Sequence, residues 1–230
     1  MRGKLLYEVQ LFALSDSLPH TSRLLYDTFN ASPNSFRAQY ILGRVLRFSP
    51  SWPPNLYSRV IRYRLCSSQV LDIICDRCAD ATGLSETAEI PRHLFQHLLR
   101  LKKPSSQWTD TDHPLPYLRH LHEKVPNLNL NSHGGYALAM AVHGGFVQLI
   151  QYLLALGADP RRKNGLSVLI AVRNRNLPIV RLLVEPGYGV KVSGPKKRKV
   201  ADRIQDIVDY LRQKGCVPDM ETLGLMHSSY

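Results

Sequence analysis

Apolar residues recur three or four positions apart along much of the chain, the spacing of helices that bury one face. The pattern is clearest in the second half, where it repeats. "GYALAMAVHGGFVQLIQYLLALGADP", Gly135 to Pro160, aligns with "GLSVLIAVRNRNLPIVRLLVEPGYGV", Gly165 to Val190, at an offset of 30 positions. Gly135 then matches Gly165, Met140 matches Ile170, Ala141-Val142 match Ala171-Val172, Leu153 matches Leu183 and Gly157 matches Gly187. Each unit predicts two short amphipathic helices. The first carries a small residue, Ala141 or Ala171, where a neighbouring helix must come close. The second presents Leu149, Ile150, Leu153 and Leu154, or Ile179, Val180, Leu182 and Leu183, at helical spacing. Gly157 and Gly187 fall just past it, where a left-handed residue closes the last turn without a Cβ penalty.

A third copy is incomplete. In "IQDIVDYLRQKGCVPDM", Ile207, Val208, Tyr210 and Leu211 match Leu149, Ile150, Tyr152 and Leu153, and Gly215 matches Gly157. Only 28 positions separate Gly187 from Gly215, which leaves a half-repeat without its first helix. Upstream, "NLYSRVIRYRLCSSQVLDIICDRCADA", "RHLFQHLLRL" and "PYLRHLHEKVPNLNL" have the lengths of degenerate helical pairs. Stacked units of this kind need neighbours on both faces. Residues 5–50 predict three helices broken at Pro19 and Pro33, which would cap the stack. Ser49 to Asn55 and Lys102 to Pro116, rich in Pro, Ser and Asp, read as linkers, the second long enough to be mobile.

The stretch "GGFVQLIQYLLALGADP" resembles the second helix and Gly-Ala-Asp turn of the ankyrin repeat, and the resemblance is strong over residues 133–190. It implies an all-α, ankyrin-like helical-repeat solenoid with an N-terminal helical cap. Its expected organisation is an N-terminal helical region at 1–50, degenerate helical repeats at 55–130 and two ankyrin-like repeats at 131–190. A basic segment at 191–203 and a terminal half-repeat and tail at 204–230 follow. Two departures matter. Tyr136-Ala137-Leu138-Ala139 stands where the family has Thr-Pro-Leu-His, and a period of 30 against the usual ~33 implies shortened fingers between repeats.

Composition changes this picture mainly through charge. Thirty Lys+Arg against eighteen Asp+Glu give a net charge of +12, which favours acidic partners, nucleic acid or anionic surfaces. Glu8 and Gln10 interrupt the apolar start that a signal peptide would need, and no apolar run approaches the ~18 residues of a membrane span. A soluble intracellular protein is expected, and four cysteines are too few for a disulfide scaffold of this length. No G-x-S-x-G, G-x-x-x-x-G-K-[ST] or H-E-x-x-H is present, so the expectation is a non-enzymatic chain without cofactors. Asp110, Asp112 and His113 have no nucleophile in their segment and read as solvated turn residues.

Two basic features point to partners. Pro195-Lys196-Lys197-Arg198-Lys199-Val200, "PKKRKV", is identical to the core of a well-known monopartite nuclear localisation signal. That resemblance implies recognition by importin-α and a nuclear as well as a cytoplasmic location. An extended strand of consecutive cations suits acidic and tryptophan-lined pockets, and Gly194-Pro195 favours extended backbone before it. The apolar stripe of Val200, Ile204, Ile207, Val208 and Leu211 also allows the run to start a helix, although cations at a helix N-terminus keep that turn frayed. Arg161, Arg162 and Lys163 fall in the finger between the repeats, and Arg173 and Arg175 at the end of the next first helix. In ankyrin repeats these positions line the face that grips partner proteins, so an acidic protein surface is expected there. Nucleic acid is disfavoured because no aromatic residues interleave for base stacking.

Two further patterns compete with this reading. Cys75, Cys78, His93 and His97 give C-x2-C-x14-H-x3-H, a zinc spacing. The cysteines, however, end the apolar run Val70, Leu71, Ile73 and Ile74, where thiols act as small core hydrophobes, and no finger hairpin surrounds them. The expectation is therefore core cysteines and partly exposed helix histidines, with no metal. "LLYEVQLFALSDSLPHTSRLLYDTF" resembles an F-box in its apolar pattern, with Leu6-Tyr7 in place of that module's leading Leu-Pro. That resemblance implies the alternative of an F-box-like substrate adaptor of a ubiquitin ligase.

Overall fold

The computed structural model describes residues 2–47, 53, 55–78, 87–100, 107–125, 127–185, 200–216 and 224. The chain is predominantly helical and divides into two compact units, Met1–Pro91 with Tyr117–Asn129, and Arg92–Pro116 with Leu130–Tyr230. No helix among the described residues is long and apolar enough to cross a membrane.

In the first unit α1 (Arg2–Ala13), α2 (Arg23–Asn30) and α3 (Asn34–Leu46) are separated where the prolines predict. Pro19 lies in a one-turn 3-10 piece, Leu18–His20, and Pro33 holds the extended backbone that precedes α3. Ser22 caps α2 by accepting from the Leu25 amide. Ser67 caps α5 (Ser68–Arg77) in the same way, accepting from Val70. Each cap satisfies an amide that has no partner inside its helix. The short α4 (Leu56–Val60) and α5 pack against α3, and Ala38, Ile41, Val45, Leu56, Val60 and Ile74 make a closed core. Most of α6 (Leu115–Lys124) belongs here, with Leu118 and Leu121 buried and Tyr117 Oη donating to the Cys66 carbonyl at 2.9 Å. One element was not expected. Ala88–Glu89 (β1) pairs in parallel with Leu128–Asn129 (β2), and the Glu89 amide donates to Ser58 Oγ at 2.9 Å.

The second unit begins with eight residues of 3-10 helix, Arg92–Leu99, that bury Leu94, Phe95 and Leu98 against α7 (Ser132–His143). Next comes the stretch the sequence marks as a mobile linker; in its described part Thr109, Asp110, Thr111 and His113 are exposed, as a linker predicts, but Trp108 is not. Trp108 is buried, stacks on Phe146 with ring centroids 4.6 Å apart, and donates its Nε1–H to the Gly144 carbonyl at 2.9 Å. An indole with a matched acceptor is a core residue, whatever the Pro and Ser content around it.

After α7 come α8 (Val147–Ala155), α9 (Arg162–Arg173), α10 (Leu177–Val184) and α11 (Val200–Gln213). The backbone of the two central pairs recurs at an offset of 30. His133, Gly134 and Gly135 all have positive φ, as do Lys163, Asn164 and Gly165. Gly145 and Arg175 both have positive φ after the first helix of their pair. The amides of Gly144, Gly145 and Phe146 donate to Met140, Val142 and Ala141, and those of Asn174, Arg175 and Asn176 donate to Ile170, Val172 and Ala171. Ala141 and Ala171 are fully buried where α7 packs on α9, as the small residues predict.

The helix endings agree as well. Gly157, at φ +88, follows α8 while the Ala158 amide donates to the Leu153 carbonyl. Gly215, at φ +76, follows α11 while Cys216 donates to Leu211, so the incomplete copy closes like a complete one. This is the glycine-closed helix end that the sequence predicts at both positions. The third glycine of that set, Gly187, lies outside the described residues.

The glycines in the two left-handed triplets are not equivalent. A Cβ on Gly165 would meet nothing within 4 Å, whereas one on Gly134 would come to 2.7 Å from Lys163 Cε and 3.1 Å from its Cγ. Gly165→Ala should cost only the left-handed backbone, roughly 1–2 kcal/mol. Gly134→Ala should lower the melting temperature further, and the excess should disappear when Lys163→Ala is added. Equal losses in the two single variants would show that Lys163 does not rest there.

Candidate partner-binding surface

The five cations marked by the sequence fall at the two ends of α9. Arg161 sits at its N-cap, Arg162 and Lys163 follow in the bend, Arg173 is its last residue and Arg175 lies two beyond. By the rise per residue, the regular part of the helix separates the groups by about 12 Å. They are therefore two charged clusters bracketing one helix. Arg161, Arg162, Lys163 and Arg173 are exposed and Arg175 is half-buried.

The first cluster is held by Asp159 of the Gly-Ala-Asp turn and by Asn131, which neither charge nor motif marks. Asn131 Oδ1 accepts from the Asp159 amide at 2.8 Å, and its Nδ2 donates to the Gly157 carbonyl at 3.2 Å. Asp159 in turn accepts from the Arg161 amide at 2.9 Å and lies 3.6 Å from Arg162 Nε. Gly134 and Gly135 leave room for the Lys163 stem and the Arg162 Cβ to lie over their backbone. The turn of one helix pair thus seats the cations of the next. The Gly-Ala-Asp stretch was legible as a turn, but the clamp through Asn131 needs the fold to bring it within reach.

The other chemistry-bearing residues sort by unit. In the first unit Cys66 and Cys78 are buried and Cys75 half-buried. Burial pushes the Cys66 and Cys78 thiols up to about 11 and also raises Cys75. Burial also raises Tyr57, to about 12, and Tyr117. In the second unit His97 Nε2 lies 2.8 Å from the His113 carbonyl, the two rings meet edge to face at 4.9 Å, and His93 and His97 are half-buried. Burial, then the charges of His97 and His93, lower the His113 pKa. His113 is exposed in a turn, as the sequence predicts, and His97 joins it there. Among the described residues no three or more His, Cys, Asp or Glu side chains are grouped to hold a metal ion.

The raised thiol values carry a prediction. Thiolate is the reactive form, so at pH 7.5 an alkylating reagent should modify exposed Cys216 well before Cys66 or Cys78. Because both buried thiols keep their protons more tightly when folded, the unfolded chain deprotonates first. Their contribution to stability is complete below the unfolded value near 8.5 and falls as pH rises towards 11. Peptide mapping after brief alkylation checks the order, and equal labelling of Cys78 and Cys216 would contradict it.

The import-like run Pro195, Lys196, Lys197, Arg198 and Lys199 lies outside the described residues, and Val200 opens α11. Beyond it Ile204, Ile207, Val208 and Leu211 are buried, and α11 packs on α10. Arg181 and Lys214 lie over the Tyr210 ring, and Lys214 Nζ is 2.7 Å from Glu185 Oε1. No family model, no curated protein and no solved structure matches the chain.

Proposed function

We propose that this chain is a non-enzymatic protein-interaction scaffold of ankyrin-repeat type, with access to the nucleus as well as the cytoplasm. The observation that supports this reading is the recurrence of positive φ values and helix-closing hydrogen bonds 30 residues apart in two helix pairs packed first helix to first helix. An array of that kind presents its turns and first-helix ends as a surface, and here those positions carry Arg161, Arg162, Lys163, Arg173 and Arg175. The partner is a protein with an acidic face. Importin-α is the carrier, recognising Pro195 to Val200.

Proximity labelling in cells tests both parts. Changing Arg161, Arg162 and Lys163 to Glu, or Arg173 and Arg175 to Glu, should remove the same acidic partners, with circular dichroism showing that each variant keeps its helices. A labelled set unchanged by both variants would reject the binding surface. Changing Lys196, Lys197, Arg198 and Lys199 to Ala should abolish importin-α capture and nuclear accumulation. An unaltered distribution would reject nuclear entry through this run.

One observation favours the F-box-like alternative. Leu5, Val9 and Phe12 occupy one face of α1 and are 63%, 46% and 90% exposed, an unusual density of apolar surface on a single helix. In the adaptor reading that face would take the ligase's linker protein. Co-purification of such a linker, lost in Leu5→Glu with Phe12→Glu, is the expected result, and its absence from the unaltered protein would exclude the reading.

A further inference from the structure

A cleft of about 230 Å³ in the first unit is lined by Arg44, Val45, Arg59, Arg62 and Tyr63, three guanidinium groups in five residues. It lies between the end of α3 and the residues of α4 and the turn after it. The three arginines differ in how firmly they are held. Arg44 is committed: it donates to the Leu14 carbonyl, pairs with Asp16 and is hydrogen-bonded to Tyr63. Arg59 makes a 3.3 Å bond from Nη1 to the Val45 carbonyl, which also meets the partial negative charge at the end of α3. Arg62 pairs with Glu89 at 3.3 Å, but the two side chains are 62% and 46% exposed, so that contact is weakly held. Arg59 and Arg62, three positions apart, can therefore turn donors towards a shared ligand from one side of the cleft.

The chemistry of the lining selects that ligand. Guanidinium groups present paired N–H donors that match the oxygens of a phosphate, and such charge-assisted bonds are among the stronger ones available to a side chain. The volume is below the ~300 Å³ at which pockets for drug-sized molecules begin, so the occupant is compact. We propose that Arg59 and Arg62, backed by Arg44 and Tyr63, bind a single phosphate dianion, free or as a phosphomonoester. Glu89 is the built-in competitor, since its carboxylate occupies the Arg62 donors that the phosphate would take.

The test uses the full chain and follows arginine Nε–H resonances by NMR while inorganic phosphate or O-phosphoserine is added at constant ionic strength against sodium chloride. Saturable shifts at Arg59 and Arg62 are expected. Tighter binding of phosphoserine identifies the ester as the ligand, and equal or weaker binding identifies the free ion. Arg59→Gln with Arg62→Gln should weaken binding by about tenfold or more, as the loss of charged hydrogen bonds implies. The variant gives up only the Val45 carbonyl bond and the exposed Glu89 pair, so the melting temperature in chloride should fall by a few degrees at most. Glu89→Gln should tighten binding, and changing Arg161, Arg162 and Lys163 to Gln should leave it unchanged. Shifts that match the chloride titration, or shifts of the Arg44 Nε–H resonance that persist unchanged in the double arginine variant, would overturn the proposal. So would weaker phosphate binding in Glu89→Gln.

Discussion

Phe146→Ala should destabilise the second unit by about 3–5 kcal/mol, the range for removing a fully buried aromatic ring. Phe146 is 0% exposed, and its ring is one half of the stack with Trp108, the planes inclined by 12°. Its amide also closes α7 by donating to Ala141. The substitution keeps that backbone bond but leaves a void beneath the indole. The Trp108 hydrogen bond to Gly144 and the bond from Gln148 Nε2 to the Trp108 carbonyl, at 2.9 Å, then span a cavity. In a protein of this size each kcal/mol shifts the melting temperature by roughly 2–4 °C, so a fall of roughly 6–20 °C is expected, with loss of near-ultraviolet dichroism. Phe12→Ala is the internal control. The same chemical change at a residue 90% exposed should stay within about 0.5 kcal/mol. A comparable loss in both variants would mean that the packing of Trp108 on Phe146 is wrong.

Leu153→Ala should cost about 2–5 kcal/mol. Leu153 is 0% exposed on the inner face of α8, and its carbonyl accepts the Ala158 amide that closes the helix behind Gly157. Its neighbour Leu154, on the same helix but half-buried, supplies the comparison, and Leu154→Ala should cost distinctly less. Urea unfolding of the two variants separates them. Equal midpoints would place the buried face of α8 one position away from where it is described.

Periodicity made these predictions possible, and it made the second unit the more legible one. An offset of 30 read from Gly135, Ala141, Leu153 and Gly157 places two helix pairs, and the backbone repeats at that interval. Helix spacing and a helix-ending glycine are local properties, so a sequence carries them openly. What was hidden depends on distant contacts. Trp108 sits among residues that read as a linker, and only the approach of Gly144 and Phe146 makes it a core residue. The two-residue β1–β2 ladder joins positions forty apart and has no alternating pattern to betray it. At the candidate surface the cations were visible, but their separation into two groups follows from the length of α9. Of the residues that seat them, Asp159 was visible in the Gly-Ala-Asp turn, whereas Asn131 and Gly134 carry no signal in charge or motif.

The two helix pairs of the second unit are flanked among the described residues by a 3-10 stretch and by the single helix of the incomplete copy. The 3-10 stretch Arg92–Leu99 lies on α7, Trp108 covers the entry to α8, and α11 lies on α10. Stacked helix pairs grow by burying one pair's face under the next, so an uncovered face is an invitation to a further pair or to another molecule. Here a 3-10 helix lies against α7 and a single helix against α10. Arg92–Leu99 and α11 thereby shield part of α7 and of α10, and a molecule docking at either place would have to displace contacts that the chain already makes with itself.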